Sequence, residues 1–136
     1  MKIGALATTL AVVMITGISF TAAAGPAGDG DSDGTFDVLD FCSADPQAPS
    51  PVGCDTDTDG YGNRCDSDFN NDGFTNLSDF NVFGPQLNTS GAPGFSVADM
   101  NCDGFVNLSD FNLFGPRLNQ PPGPSGLSCA GDTNCQ

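Results

Sequence analysis

The sequence is organised around Asp68–Asp79, DFNNDGFTNLSD, which returns 31 positions later as Asp99–Asp110, DMNCDGFVNLSD. Both stretches carry Asp or Asn at positions 1, 3, 5, 9 and 12 and Gly at position 6. A cation of calcium's size takes about six to eight oxygen ligands at about 2.3 to 2.6 Å, and a chain can supply them when alternate side chains point inward around a sharp glycine turn. The pattern predicts two metal-binding loops, here called loop 3 and loop 4, with their turns at Gly73 and Gly104.

The same template fits two stretches further upstream. Loop 1 is Asp29–Asp40, DGDSDGTFDVLD, and loop 2 is Asp55–Asp66, DTDTDGYGNRCD. The chain has no Glu, and all but two of its seventeen Asp residues fall at ligand positions of the four loops. The alternative is a solvated or disordered acidic stretch, which would place its Asp residues without regard to a twelve-residue register.

Each predicted site takes side-chain oxygens from positions 1, 3, 5, 9 and 12 and the backbone carbonyl oxygen of position 7. We therefore expect about four Ca²⁺ ions. The Asp at position 12 can bind through one or both of its oxygens, and selectivity against Mg²⁺ depends on which it does. The predicted ligands are, in chain order, Asp29, Asp31, Asp33, Thr35, Asp37 and Asp40; Asp55, Asp57, Asp59, Tyr61, Asn63 and Asp66; Asp68, Asn70, Asp72, Phe74, Asn76 and Asp79; and Asp99, Asn101, Asp103, Phe105, Asn107 and Asp110.

The first residues have the pattern of an export signal. Lys2 precedes an apolar run from Ile3 to Phe20, and three alanines at 22–24 form a small-residue cleavage site. We predict a signal peptide at 1–24 that is removed, the alternative being a retained membrane anchor. The protein is then secreted and extracellular, free or associated with a cell surface, where calcium is plentiful enough for weak sites.

The charge of the chain excludes one class of partner. Three basic residues stand against seventeen acidic ones, which gives a net charge of −14. Such a chain cannot neutralise phosphates, so nucleic acid is not an expected partner. Without metal, the acidic loops repel one another.

An even number of cysteines in an exported chain favours disulfides, with zinc bound by thiolates as the alternative. Cys129 with Cys135 is the first candidate pair, and Cys65 with Cys42 or with Cys54 is the next. Cys102 stands at position 4 of loop 4, which points away from the metal, so we expect a structural role for it.

Residues 25–66 have too few apolar side chains for a core, so metal and disulfides must replace it. The segments DGDSDGTFDVLDFC and DTDTDGYGNRCD, with Asp45 and Gln47 between them, resemble the thrombospondin type 3 repeat over about forty residues. The resemblance implies a calcium-binding segment with a disulfide between Cys42 and Cys65. Phe41 and the additional Cys54 depart from the usual pattern of that family.

Residues 67–119 form a duplication in which NDGFTNLSDFNVFGPQLN (71–88) returns as CDGFVNLSDFNLFGPRLN (102–119). Apolar residues at spacings of 3, 3 and 4 predict one short helix after each loop, and Gly-Pro at 84–85 and 115–116 should kink or restart it. We expect Thr75 and Val106 to pair the loops. The predicted core is Leu77, Phe80, Phe83, Leu87, Leu108, Phe111, Phe114 and Leu118.

A tandem of loop and helix with Asp at position 12 resembles the dockerin type I module, over about fifty residues. The resemblance implies an EF-hand-like pair that docks onto a cohesin-like partner of a carbohydrate-degrading assembly. In that family the contacts come from loop positions 10 and 11, here Leu77-Ser78 and Leu108-Ser109, and from the helix. The predicted fold is small, mostly irregular, calcium-stabilised and disulfide-supported.

Residues 120–136 form a Pro-rich linker and a Cys-containing tail that lies on the module or reaches a neighbouring molecule. With no His and no Glu, and with Asp committed to metal, no catalytic pair is expected and the protein is predicted not to be an enzyme. We predict a secreted calcium-binding protein for extracellular attachment or matrix structure. The alternatives are a self-assembling, calcium-dependent fibre subunit, a dockerin-type docking module, and a calcium buffer or sensor.

Overall fold

The structure is a computed structural model of the chain and describes residues 28–46 and 54–135. The predicted signal peptide at 1–24 lies outside the described residues, as do 25–27, 47–53 and 136.

Two short helices are the main regular elements. Helix α1 spans Leu77–Phe83 and helix α2 spans Leu108–Phe114, and each runs on into a single 3₁₀ turn, Gly84–Gln86 and Gly115–Arg117. A third 3₁₀ turn, Asp37–Leu39, lies in loop 1. The expectation of a small, mostly irregular fold with short α-helices is confirmed. Among the described residues, no helix has the length and apolarity needed to cross a membrane.

Local sequence explains where α1 begins and how it ends. Asn76 accepts the backbone N–H of Ser78, and Asp79 accepts the backbone N–H of Asn76, which together form a capping box. Gly84 keeps helical backbone angles, and Pro85, which has no N–H to donate, follows in a tighter turn. Helix α2 repeats these features. At Gly-Pro, where the sequence predicts a kink or a restart, each helix continues as a 3₁₀ turn.

The hydrophobic core lies between the two copies of the duplication. Phe83 and Phe114 are fully buried with ring centroids 5.4 Å apart, and Phe69 stacks on both of them at 6.3 and 5.6 Å. Met100 occupies in the second copy the place that Phe69 has in the first. The buried set is Phe69, Phe83, Ala98, Met100, Val106 and Phe114.

The predicted core of eight helix residues is wrong in part. Leu77 and Leu108 are 71% and 73% exposed, because each is the first residue of a helix of only two turns and faces solvent. Phe80 and Phe111 lie at the edge of the core, each more than a third exposed. In loops 3 and 4, position 2 supplies a core residue, Phe69 or Met100, that the helical pattern could not indicate.

Thr75 and Val106 are buried, but the prediction that they pair the two loops with each other is wrong. The backbone of Thr75 exchanges hydrogen bonds with residues 119–120, which follow α2, at 2.9 and 2.8 Å. The backbone of Val106 does the same with residues 88–89, which follow α1, at 2.8 and 3.0 Å. Each loop is therefore tied to the segment that follows the other copy's helix, and the two copies interlock.

All six cysteines are paired, which indicates an oxidising environment such as the outside of a cell. Cys42–Cys65 joins loops 1 and 2, and Cys129–Cys135 closes a small ring in the tail, as predicted. The alternative of Cys54 with Cys65 is wrong. Cys54 pairs with Cys102, across a sequence separation of 48, and so joins loop 2 to loop 4.

The tail lies against loops 1 and 2 of the same chain. The backbone N–H of Gly126 donates to the carbonyl of Asp40 at 2.9 Å, and those of Gly131 and Cys135 donate to the carbonyls of Asp59 and Thr58 at 2.8 Å each. Loop 2 is therefore at the centre of the molecule, in contact with loop 1, with the tail and, through the Cys54–Cys102 disulfide, with loop 4.

Two of the three basic residues of the chain converge on one carboxylate. Asp45, one of the two Asp residues outside the loops, accepts from Arg64 Nε at 2.9 Å and also ion-pairs with Arg117. Arg117 follows α2, whereas Asp45 follows loop 1. The pair of contacts therefore ties the N-terminal segment to the duplicated module.

Candidate metal-binding loops

The first half of all four loops has the same backbone bend. Position 6 is Gly with φ between 87° and 98° in every loop, as the sequence predicts. Position 4 also has positive φ, between 56° and 66°, although it is never Gly. Backbone of this kind is costly for ordinary residues, so its fourfold recurrence reflects a common bend. The residues at position 4 are Ser32, Thr58, Asn71 and Cys102.

The loops also share two hydrogen bonds that hold carboxylates in place. The backbone N–H of the position-6 glycine donates to the position-1 carboxylate, at 3.2, 2.9, 2.6 and 3.0 Å in loops 1 to 4. The N–H of position 7 donates to the position-5 carboxylate, at 2.7, 2.9, 3.1 and 2.8 Å. Each loop thus wraps its own backbone around its first and third predicted ligands.

Loops 1 and 2 each gather three carboxylates. One oxygen from each of Asp29, Asp31 and Asp33 lies within 4.8 Å of the others, and the same holds for Asp55, Asp57 and Asp59. Negative charges this close repel one another, and a divalent cation bound between them removes that repulsion. These two clusters could therefore hold a metal ion.

Loop 1 carries a further sign that its carboxylates suit a cation. Asp29 Oδ1 and Asp31 Oδ2 are buried, and neither has a hydrogen-bond partner among the described residues. A buried carboxylate oxygen without a partner is costly, because it has lost water and gained nothing in exchange. A cation bound to both oxygens would supply the missing interaction.

In loops 3 and 4 the position-12 carboxylate reaches back across the loop. Asp79 and Asp110 are fully buried. Each accepts the backbone N–H of position 3 at 3.2 Å and that of position 9 at 2.7 or 2.8 Å. The structure therefore brings the end of each loop to its beginning. Positions 3 and 5 are adjacent as well, since the amide of Asn70 or Asn101 donates to the following Asp72 or Asp103 at 3.1 or 2.9 Å.

In loops 1 and 2 the position-12 carboxylate is buried but has a different contact. Asp40 accepts the backbone N–H of Cys42 at 2.8 Å, and Asp66 accepts that of Asp68 at 2.9 Å. Burial, together with the negative charges of Asp59 and Asp57, raises the pKa of Asp66 to about 8. The position-12 group of loop 2 is therefore within the electrostatic reach of the carboxylate cluster.

Other loop carboxylates show the same direction of shift. Burial raises the pKa of Asp59 to about 6, with added repulsion from Asp57 and Asp55. Burial likewise raises the pKa of Asp55, Asp68 and Asp110. The metal-free protein thus holds several carboxylates that resist ionisation, and a bound cation would compensate that cost.

Position 9 has a backbone contact in every loop. Asp37 and Asn63 accept the N–H of position 2, at 2.7 and 2.9 Å. In loops 3 and 4 the position-9 Asn instead caps the following helix, at 2.7 and 2.8 Å. Asp37 lies outside the cluster that Asp29, Asp31 and Asp33 form. The position-7 carbonyls and the position-9 oxygens stay predicted ligands.

Two features near the loops were not predicted from the sequence. Gly94, outside every loop, donates its N–H to the carboxylate of Asp99 at 2.8 Å. Cys54 and Cys102 join loop 2 to loop 4. A signal for the disulfide was present, since each cysteine is next to a predicted ligand, but fifteen pairings of six cysteines are possible and the sequence does not choose among them.

Comparison of the chain with known protein families, with curated proteins and with solved structures finds no match. The resemblances to the thrombospondin type 3 repeat and to the dockerin module therefore stay predictions.

Proposed function

We propose that this chain is an extracellular, non-catalytic calcium-binding protein in which Ca²⁺ orders the fold, and that it serves attachment or matrix structure. The observation that carries the proposal is the common loop conformation. Four stretches with different neighbours share the same two positive φ angles and the same two backbone-to-carboxylate hydrogen bonds.

The donor chemistry supports calcium over other metals. The predicted ligands are all oxygens, the chain has no His, and every cysteine is in a disulfide. Zinc and copper prefer nitrogen or thiolate ligands, whereas hard oxygen donors suit Ca²⁺ and Mg²⁺. Flexible, irregular loops suit calcium better, because Mg²⁺ demands near-octahedral geometry and gives up water reluctantly.

An ordering role follows from how little else holds the chain together. Among the residues that the structure describes, the buried hydrophobic core contains six apolar residues, all in the duplicated module at 67–119. The described part of the N-terminal segment, 28–46 and 54–66, is held by disulfides and loop contacts and contributes no residue to this core. Four divalent ions would cancel about half of the charge that opposes folding, and their binding free energy would add to stability.

The test is calcium titration of the oxidised protein by calorimetry, with circular dichroism in calcium and in excess chelator. We expect about four ions per chain and loss of helical and tertiary signal on chelation. Asp132→Asn, which removes an acidic residue outside the loops, serves as a charge control and should leave the stoichiometry unchanged. Absence of calcium binding, or an unchanged spectrum after chelation, would refute the proposal.

A specific observation favours docking as the form of attachment. Of the large apolar residues that the structure describes, Leu77 and Leu108 are the most exposed, and both stand at loop position 10, where the dockerin resemblance puts partner contacts. We would measure binding of the calcium-loaded protein to a purified, immobilised cohesin domain. A Leu77→Ser, Leu108→Ser variant should lose binding while keeping its calcium stoichiometry. Absence of binding by the parent protein would exclude this candidate.

The self-assembling fibre remains the second alternative, and light scattering separates it from docking. A particle size that grows with protein concentration only in calcium would favour assembly. A strict monomer at all concentrations would exclude it. Assembly would have to be non-covalent, because all six cysteines are paired within the chain.

A further inference from the structure

Loops 2 and 4 are joined by a buried side chain, Asn63. It is only 3% exposed and stands at position 9 of loop 2. Its amide nitrogen Nδ2 donates to the carbonyl oxygens of Ser96 and Asp99, at 2.9 and 3.1 Å. Asp99 is the first predicted ligand of loop 4. One side chain of loop 2 therefore holds the entry to loop 4.

The orientation of this amide is determined by its surroundings. Asn63 Oδ1 accepts the backbone N–H of Thr56 at 2.9 Å, and an N–H can only meet an acceptor. The two carbonyl oxygens on the other side require a donor. Rotating the amide by half a turn would place Oδ1 against the two carbonyl oxygens and Nδ2 against the N–H of Thr56. Asn63 Oδ1 is thus held within loop 2, while Nδ2, which also donates to Thr56 Oγ1 at 2.9 Å, reaches the carbonyl oxygens at the entry to loop 4.

A second connection runs parallel to the first. Thr56 Oγ1 donates to the carbonyl oxygen of Gly94 at 2.9 Å, and the N–H of Gly94 donates to Asp99 Oδ2 at 2.8 Å. The same Oδ2 accepts the N–H of Gly104 at 3.0 Å. The Cys54–Cys102 disulfide closes the contact covalently. A change in the conformation of loop 2 therefore reaches both the carbonyl and the carboxylate of Asp99.

We propose that loops 2 and 4 bind calcium as a coupled pair, and that Asn63 is the positioning residue for this coupling and not a metal ligand. The inference rests on the proposed calcium binding. Occupation of loop 2 fixes Thr56 and Asn63, which pre-orders Asp99 for the second ion. Because coupling is reciprocal, occupation of loop 4 favours loop 2 by the same factor, of about fivefold or more.

The substitution Asn63→Asp distinguishes between two roles of Asn63, that of a metal ligand and that of a positioning residue. If Asn63 binds the metal, a carboxylate in its place keeps the oxygen and adds charge, so loop 2 should bind calcium as well or better. If Asn63 joins the loops, the change removes the N–H donors and sets a negative charge against two carbonyl oxygens. Loop 4, which contains no substituted residue, should then lose affinity.

Each loop provides its own reporter. The position-6 glycine N–H donates to the first predicted ligand, so its ¹H–¹⁵N resonance responds to an ion in that loop. We would titrate CaCl₂ into the oxidised, ¹⁵N-labelled protein and follow Gly34, Gly60, Gly73 and Gly104. In Asn63→Asp the calcium midpoint at Gly104 should rise at least about fivefold, with that at Gly34 within about twofold of the parent value.

Asn81→Asp, which adds the same charge on the exposed face of α1, should leave the midpoint at Gly104 within about twofold. Asp59→Ala, which disables loop 2 without altering Asn63, should raise the midpoint at Gly104, whereas Asp33→Ala, the same change in loop 1, should not. The Asp59→Ala variant keeps the test of coupling decisive if Asn63→Asp fails to fold.

An unchanged Gly104 midpoint in Asp59→Ala overturns the coupling while leaving calcium binding intact. An unchanged Gly104 midpoint in folded Asn63→Asp overturns the role of Asn63. If no glycine resonance of the parent protein responds to calcium, the proposed function itself fails, and the coupling with it.

Discussion

Removal of the Cys54–Cys102 disulfide should destabilise the protein more than removal of either other disulfide. This bond closes the longest segment, with a sequence separation of 48, against 23 for Cys42–Cys65 and 6 for Cys129–Cys135. In the chain-entropy treatment, the cost of losing a crosslink grows with the logarithm of the closed loop. The three bonds are then worth about 4, about 3 and about 2 kcal/mol.

The perturbation is replacement of both cysteines of one pair by Ser, made separately for each pair. Urea unfolding followed by circular dichroism, in saturating calcium and without reductant, gives the free energy of unfolding of each variant. Saturating calcium matters because a bound ligand adds to apparent stability, and its contribution must be held constant. We expect the Cys54→Ser, Cys102→Ser variant to be the least stable and to approach unfolding.

Two results would refute this reasoning. If removal of the Cys129–Cys135 disulfide lowers the free energy of unfolding as much as removal of Cys54–Cys102, the length of the closed loop does not govern the loss of stability. An undiminished stability after removal of Cys54 and Cys102 would show that loops 2 and 4 are not held together as the structure has them.

Three further predictions concern charge, packing and backbone. The pKa of Asp66 is raised to about 8 and that of Asp59 to about 6, both above the unfolded value near 3.8. The metal-free protein should therefore lose stability as the pH rises from about 4 to about 8. Urea unfolding in chelator should show this loss, and a free energy of unfolding that does not change with pH would contradict it. Phe114→Ala should cost about 3 to 5 kcal/mol and Leu108→Ala less than about 1, because only Phe114 is buried; equal thermal shifts in calcium would contradict the described core. Gly104→Ala should destabilise the protein more than Gly73→Ala. Both glycines have positive φ, but only at Gly104 would a Cβ meet a backbone oxygen, that of Gly91 at 2.8 Å. Equal losses of stability for the two variants in calorimetric unfolding would exclude crowding as a cause.

The pH prediction should reverse in saturating calcium. A cation binds the ionised carboxylate, so protonation competes with it and stability should fall as the pH is lowered. The contrast between the metal-free and calcium-loaded profiles is therefore a more specific signature of carboxylate ligands than either profile alone.

The local features of this protein follow from contiguous residues. The Gly at position 6, the alternation of Asp before it and the Asn and Asp that cap each helix all act within a dozen residues. Their effects depend on backbone preference and on hydrogen bonds between near neighbours, which do not need the rest of the fold. The glycine turns and the short helices could accordingly be predicted from the sequence alone, whereas at Gly-Pro the sequence predicted a kink or a restart and the structure has a 3₁₀ turn.

Only the tertiary structure decided which distant residues meet. The partner of Cys54, the exposure of Leu77 and Leu108, and the pairing of Thr75 with the end of the other copy all depend on how the two copies interlock. So does Asn63, whose position in loop 2 predicted a metal ligand and whose amide joins loop 2 to loop 4. The physical reason is that an amide, a thiol or an apolar side chain can interact with many different partners. Only the tertiary fold determines which of these partners comes within contact distance.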